Sequence, residues 1–347
     1  MRRRPWVIIA AGVLLLLVGH TVYWRAMAER LRAGYQAWLN GQVAQGWVVG
    51  SGPASIGGWP VAASVTVPNL TLRHAGATIP GAVNVASAGV TLAVSLFNPT
   101  VLTLSLTGPV HVRAGDLPDV IVTGDEAAVA VPLRAAGDLS VGVHASGLRL
   151  EAATGAWHVT VGLLDAEVRI AAAPPADQSE PAATFTVRSE AIALPSGVKW
   201  ALGPNISSLS VEGSLNGRLP ETDDMRRWAE AWRDGGGSLE IRHLTMGWGP
   251  LGLTSSATLA LDDQLQPMGS GNGRFIGYAE TLDKMAAAGM LTKSAATAAK
   301  AVLSLMAGTS DTDQPSAVDV PLTLQYRTLS MRQVPLVRLP EVDWPPQ

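Results

Sequence analysis

Three patterns of apolar and polar positions divide this chain. The first is a block: Pro5 to Trp24 carries no charged residue, with Leu14-Leu15-Leu16-Leu17-Val18 at its centre and Trp6, Tyr23 and Trp24 at its ends. Its length suits one bilayer crossing, which takes about 20 apolar residues. Its aromatic ends match the belts found at membrane interfaces. The second pattern is helical. Leu31, Tyr35, Trp38 and Leu39 form a stripe that predicts an amphipathic helix over 25–42, continuing from the membrane segment.

The third pattern is period two and dominates from Trp47 onward. Leu102, Leu104 and Leu106 alternate with Thr103, Ser105 and Thr107. Leu139, Val141 and Val143 do so with Ser140, Gly142 and His144, and Val318, Val320, Leu322 and Leu324 continue the theme. Such alternation predicts strands with one buried face. Turn residues at Asn98-Pro99, Ala114-Gly115-Asp116 and Asp262-Asp263 break the runs. The expected fold is mainly β: antiparallel twisted sheets, as a groove or a sandwich, behind an N-terminal transmembrane helix. The second face of many strands holds Ser, Thr, Gly, Ala or His rather than Lys or Glu. It suits a covered layer or an interior that meets apolar material, and the high β propensity of Thr with a general bias to small residues explains it without either.

A few helices interrupt the strands. Thr222 to Arg233 reads as one, capped by Thr222, with Asp223-Asp224 in its first turn and a stripe of Met225, Trp228, Ala229 and Trp232. A helical hairpin is expected over 278–307, turning near Gly289, with Leu282, Met285 and Ala286 on one arm and Ala299, Val302, Leu303 and Met306 on the other as core positions. Pro174-Pro175 and Pro181 mark a linker at 174–183, and a second loop spans Gly308 to Ser316. The expected organisation is therefore an anchor at 1–24, a helix at 25–42, a first β module at 43–173 and a second at 184–347.

Charge gives the anchor an orientation. Arg2-Arg3-Arg4 on the short side predicts a cytoplasmic N-terminus at the inner membrane and a periplasmic body. Ala26-Met27-Ala28 resembles a signal-peptide cleavage site, but nine residues separate it from Gly19, which favours an uncleaved anchor. Either way the body leaves the cytoplasm. The chain has no cysteine, hence no disulfide framework and no thiolate chemistry. Without residues 1–28, the 25 basic residues fall by four to 21 against 28 acidic ones, a balance of −7. That balance argues against a nucleic-acid partner, which needs a basic excess.

Candidate chemistry is sparse. The six histidines lack the spacing of a metal site, and no cofactor is expected. Gly269-Ser270-Gly271-Asn272-Gly273 lacks a Walker lysine and reads as a hairpin loop. The acid pairs Asp223-Asp224, Asp262-Asp263 and Asp311/Asp313 fall at a helix start, a turn and a loop. More distinctive are Trp47, the corner Gly57-Gly58-Trp59-Pro60 and Trp248. Pro60 pushes Trp59 toward extended backbone. These residues are expected either to plug the ends of a sheet or to sit on a lipid surface.

The order of these landmarks resembles the alphaproteobacterial DUF2125 proteins. It runs from the anchor through Gly46-Trp47-Val48-Val49 and Gly57-Gly58-Trp59-Pro60 to Gly236-Gly237-Ser238-Leu239-Glu240-Ile241. Leu244-Thr245-Met246-Gly247-Trp248-Gly249-Pro250-Leu251, Val320-Pro321-Leu322-Thr323-Leu324 and Val334-Pro335-Leu336 complete it. The segment Gln325 to Met331 departs from that form, because it lacks the usual glycine turn. More loosely, the chain is similar to AsmA-like envelope proteins, and that likeness implies lipid transport or outer-membrane homeostasis. The resulting expectation is a non-enzymatic, inner-membrane-anchored protein of envelope maintenance, with membrane lipids or another apolar ligand in a β groove. A scaffold for another envelope protein is the alternative. A periplasmic hydrolase is the least supported.

Overall fold

The computed structural model describes residues 4–74, 83–115, 118–133, 137–222, 224–307, 317–331 and 334–344. Arg2, Arg3, Asp116, Asp223 and the 308–316 loop with Asp311 and Asp313 lie outside them. The chain is mainly β and divides into two compact units, residues 1–134 and 135–347.

The first unit opens with one continuous helix, α1 (Arg4–Ala44, 41 residues). The membrane block and the amphipathic stripe are halves of this single element. Its sheet is antiparallel throughout. β3 (Ala62–His74), β4 (Val83–Ser95) and β5 (Val101–Ala114) form the centre. β1 (Val48–Gly50) and β2 (Ser55–Gly57) lie end to end along β3. β6 (Val120–Thr123) and β7 (Glu126–Pro132) do the same along β5.

Register puts the apolar residues on one face. Ala63, Val94 and Leu102 form a row across the sheet, and Val65, Leu92 and Leu104 form the next. The opposite face carries Thr66, Thr91, Thr103 and Ser105, with Thr66 and Thr91 hydroxyls 3.2 Å apart. Helix α1 lies on the apolar face. Ala28 meets Ala63 and Leu96, beside Trp24 and Met27, and Tyr35 meets Val65 and Val67, beside Leu31 and Leu39. Residues 24, 28, 31, 35 and 39 recur at three or four positions, which keeps them on one helix face.

The second unit is an antiparallel meander of ten strands in chain order: β8 (Leu139–Ala152), β9 (His158–Ile170), β10 (Pro181–Ala193), β11 (Asn205–Asn216), β12 (Ser238–Trp248), β13 (Leu251–Leu261), β14 (Pro267–Ile276), β15 (Ala317–Gln325), β16 (Thr328–Met331) and β17 (Val334–Arg338). The segment 171–180 connects β9 to β10, which pair directly, and Pro181 to Ala183 already belong to the strand.

Three helices decorate this sheet. α2 (Met225–Asp234) starts one residue pair later than its sequence suggests. Its cap is Asp224, whose carboxylate accepts from the backbone N–H groups of Arg226 and Arg227; Thr222 is not the cap and accepts only from the Asp224 N–H. Trp232 and Ala229 are buried while Met225 is exposed, so the apolar stripe is narrower than expected. Trp232 donates to the Asn216 carbonyl. The helix ends against Gly237, where a Cβ would fall 2.3 Å from the Trp232 ring. The expected helical hairpin is present as α3 (Tyr278–Ala287) and α4 (Lys293–Ala307). Tyr278 packs with Val318 and Val320, and Leu303 joins them; Val302 points to solvent.

Two further expectations are corrected. Gly269, Gly271 and Gly273 are not a loop but lie within β14. They fall on one face of that strand, and a Cβ on Gly271 would sit 2.3 Å from the Ser256 carbonyl oxygen, so the small residues permit close strand packing. The second face of β8 to β11 is also not uncharged. Ser140, Gly142 and His144 on β8 are opposed by Arg169, Glu167 and Asp165 on β9, and Arg188 pairs with Glu212 further across. Alternation along one strand cannot show what its neighbours bring to the same face.

Candidate functional site

A concavity of the first unit lies between α1 and the apolar face of β3, β4 and β5. Because α1 covers β3 but not all of β4 and β5, a groove of about 810 Å³ remains beside it. Tyr23, Met27, Leu31, Gly34, Tyr35 and Trp38 form the helix side, and Val67, Val90, Leu92, Val94, Leu102 and Leu104 form the sheet side. Pro99, Thr100 and Leu133 close one end. The size falls in the range of small-molecule sites. Among the described residues, Arg30 is the one charged side chain in the lining.

The lining runs from Tyr23 to Trp38. The fifteen helical rises between them, at about 1.5 Å each, give a slot of about 22 Å along the helix axis. Its walls are branched aliphatic and aromatic side chains, which favour hydrocarbon over water. Tyr35 is buried, and its hydroxyl has no hydrogen-bond partner among the described residues. The groove lies on the strongly apolar face of the sheet, not on the weakly polar Ser and Thr face that the sequence singled out. Its lining comes from α1 and from strands far apart in the chain, so no local motif announces it.

The four singled-out residues occupy different places. Trp47 lies tilted against His74, with ring centroids 4.8 Å apart, at the His74 end of β3. Trp59 does not plug the sheet, because 52% of it is exposed. It precedes Pro60 through a cis peptide bond. The Pro60 carbonyl accepts a hydrogen bond from His20 Nε2 at 2.6 Å. Trp248 donates to the Gly203 carbonyl at 2.8 Å and lies against Trp200, closing a corner of the second unit. The residues sequence reasoning missed are therefore those of the groove itself, together with His20.

Other polar groups are engaged structurally. Asp262 accepts from the backbone N–H groups of Gln264 and Gln266, the geometry of a turn. His144 Nδ1 lies 2.6 Å from Asp165 on the exposed face of β8 and β9. Arg113 and Asp119 form a two-bonded pair, which holds the Asp119 carboxyl below its ordinary range. Among the described residues no group of three His, Asp or Glu side chains is placed to hold a metal ion.

The family pattern of DUF2125, described as uncharacterized proteins conserved in bacteria, matches residues 24–340. The chain belongs to the DUF2125 family. The DUF2125 match begins at Trp24, so it includes the half of α1 that packs on the sheet and every groove-lining residue named above except Tyr23. No curated protein and no solved structure matches the chain.

Proposed function

We propose that this protein is a non-enzymatic component of the bacterial envelope, anchored in the inner membrane by α1 with its N-terminus cytoplasmic and its β body periplasmic. Its first unit binds a lipid or similar amphiphile in the groove. The observation that carries this reading is the groove itself: an apolar slot of about 810 Å³ whose lining begins at Tyr23, on the bare apolar part of the same helix. An 18-residue window of α1 has a mean hydropathy of 1.5 and none of it is buried. A bare apolar helix of that length supports membrane insertion, since water penalises such exposure.

The test uses the full chain in proteoliposomes containing a phospholipid with a diazirine in its acyl chain. After illumination, adducts are expected on the peptides that carry Leu92, Leu102 and Leu104. Leu104→Trp, which fills the groove, is expected to remove most of them. Adducts confined to residues 9–22 would overturn the reading.

One observation favours a scaffolding role instead. The outer side of α4 leaves Leu305 84% and Val302 52% exposed. A photo-crosslinker at Leu305 in cells would then yield one dominant protein adduct.

A further inference from the structure

Between Ile9 and Gly19, α1 stands clear of the rest of the protein. Its hydrogen bonds to the body begin with the next residue, His20, and continue at Trp24, and all reach a single turn of the chain. His20 Nε2 bonds the Pro60 carbonyl, and Trp24 Nε1 donates to the carbonyls of Gly57 (3.3 Å) and Ala62 (3.0 Å). Gly58 makes that turn possible: its φ is +89°, and a Cβ there would lie 2.6 Å from the Ala62 carbonyl oxygen. The β4–β5 connection sits alongside, since the Leu96 N–H donates to the Val61 carbonyl.

These two adjoining turns present large apolar side chains to the outside. Trp59 is 52%, Val61 56% and Phe97 81% exposed. No Asp, Glu, Lys or Arg occurs between Arg32 and Arg73, or between Arg73 and Arg113. An exposed apolar cluster is ordinarily an interaction surface, and continuity with the membrane helix identifies its partner here. His20 and Trp24 mark the level at which a spanning helix leaves the hydrocarbon, where Trp and other amphipathic rings concentrate.

We propose that the tip formed by Trp59, Val61 and Phe97 inserts into the interfacial layer of the leaflet from which α1 emerges. The inference rests on the anchored reading above and adds a second point of membrane contact. With two contacts, the first unit is held at a defined tilt. The groove end formed by Pro99, Thr100 and Leu133 belongs to the same end of the sheet, because Asn98 alone separates Phe97 from Pro99 and the Leu133 N–H donates to the Thr100 carbonyl. An acyl chain then passes between leaflet and groove without crossing water.

The chain has no native cysteine, so single labels report single sites. Val61→Cys, Phe97→Cys, Val13→Cys and Val48→Cys are each labelled with an environment-sensitive dye in the full chain, reconstituted in nanodiscs that carry a spin-labelled lipid quencher. Val48 is exposed and pairs with Arg73 at the opposite end of β3, about 36 Å from Ala62 at about 3.3 Å per residue. Each labelled variant is first shown to retain the thermal unfolding midpoint of the unlabelled protein. Quenching at Val61 and Phe97 several-fold stronger than at Val48, with a blue-shifted emission, is expected. Strong quenching at Val13 with Phe97 and Val61 no different from Val48 overturns the inference while leaving the anchor intact. No quenching at Val13 overturns the anchor, and the inference with it.

Discussion

At the scale of single residues, the chain departs from the easiest choices where backbone geometry is demanding. The hairpin between β15 and β16 turns through Tyr326 and Arg327, with φ of 48° and 63°. Two consecutive left-handed residues are the mark of a turn that prefers Asn-Gly. A side chain in that region costs roughly 1–2 kcal/mol per residue. The missing glycine therefore leaves the turn in place but strained. Arg327 has a compensating role, because it pairs with Glu341 and its carbonyl accepts from Leu339. Tyr326 is 82% exposed. Tyr326→Asn should thus raise stability by about 0.5–1 kcal/mol. Urea unfolding of the two proteins checks this, and a lower midpoint for the variant would show that the ring has an unseen partner. None of this was legible beforehand: the sequence shows that glycine is absent, but not whether the turn has lengthened or simply tolerates the strain.

Individual elements were much more legible, for a physical reason. A strand with one buried face must alternate, and an amphipathic helix must repeat every three to four residues, so β5, β8, β15, α1 and α3–α4 could be read locally. What failed were properties set by neighbours. The glycines of β14 looked like a loop because their purpose, close approach to β13, lies on another strand. The uncharged face of β8 acquired charge from β9. That second case has a measurable consequence. Glu167 accepts from the Ser140 hydroxyl and then from Arg169, and these bonds hold its carboxyl below the ordinary glutamate range. A depressed native value means that the contribution to stability is present above the unfolded value and is lost as pH falls through the native one. Both partners are exposed, so the effect is small and screened by salt. Ser140→Ala removes the larger cause. The Glu167 titration midpoint, followed by carboxyl NMR, should rise, and the acid limb of stability should flatten because neutral-pH stability falls slightly while stability at low pH is unchanged. An unmoved midpoint would show that Arg169 alone sets the value.

At the scale of the molecule, α1 belongs to two environments at once. Its 41 residues span about 62 Å at about 1.5 Å each, twice the roughly 30 Å of hydrocarbon in a bilayer. The first half is bare and the second half is core. Trp24, at the join, donates two hydrogen bonds to the sheet, and Ala28 is fully buried against Ala63 and Leu96. This bears on the Ala26-Met27-Ala28 sequence, which by composition alone resembles a cleavage site. In the folded chain those residues are helical, and Ala28 has no accessible surface. A chain beginning at Glu29 would lose both Trp24 bonds and its packing, a destabilisation of about 2–4 kcal/mol. It would also lose Tyr23 and Met27 from the groove. Protein extracted from membranes should therefore retain residues 1–28 by intact mass. A recombinant chain starting at Glu29 should unfold at lower urea than one starting at Gly19, which keeps every contact from His20 onward. Recovery of a native N-terminus at Glu29, with the two recombinant chains equally stable, would show that the body stands without its anchor and that the groove must be sought without its helical wall.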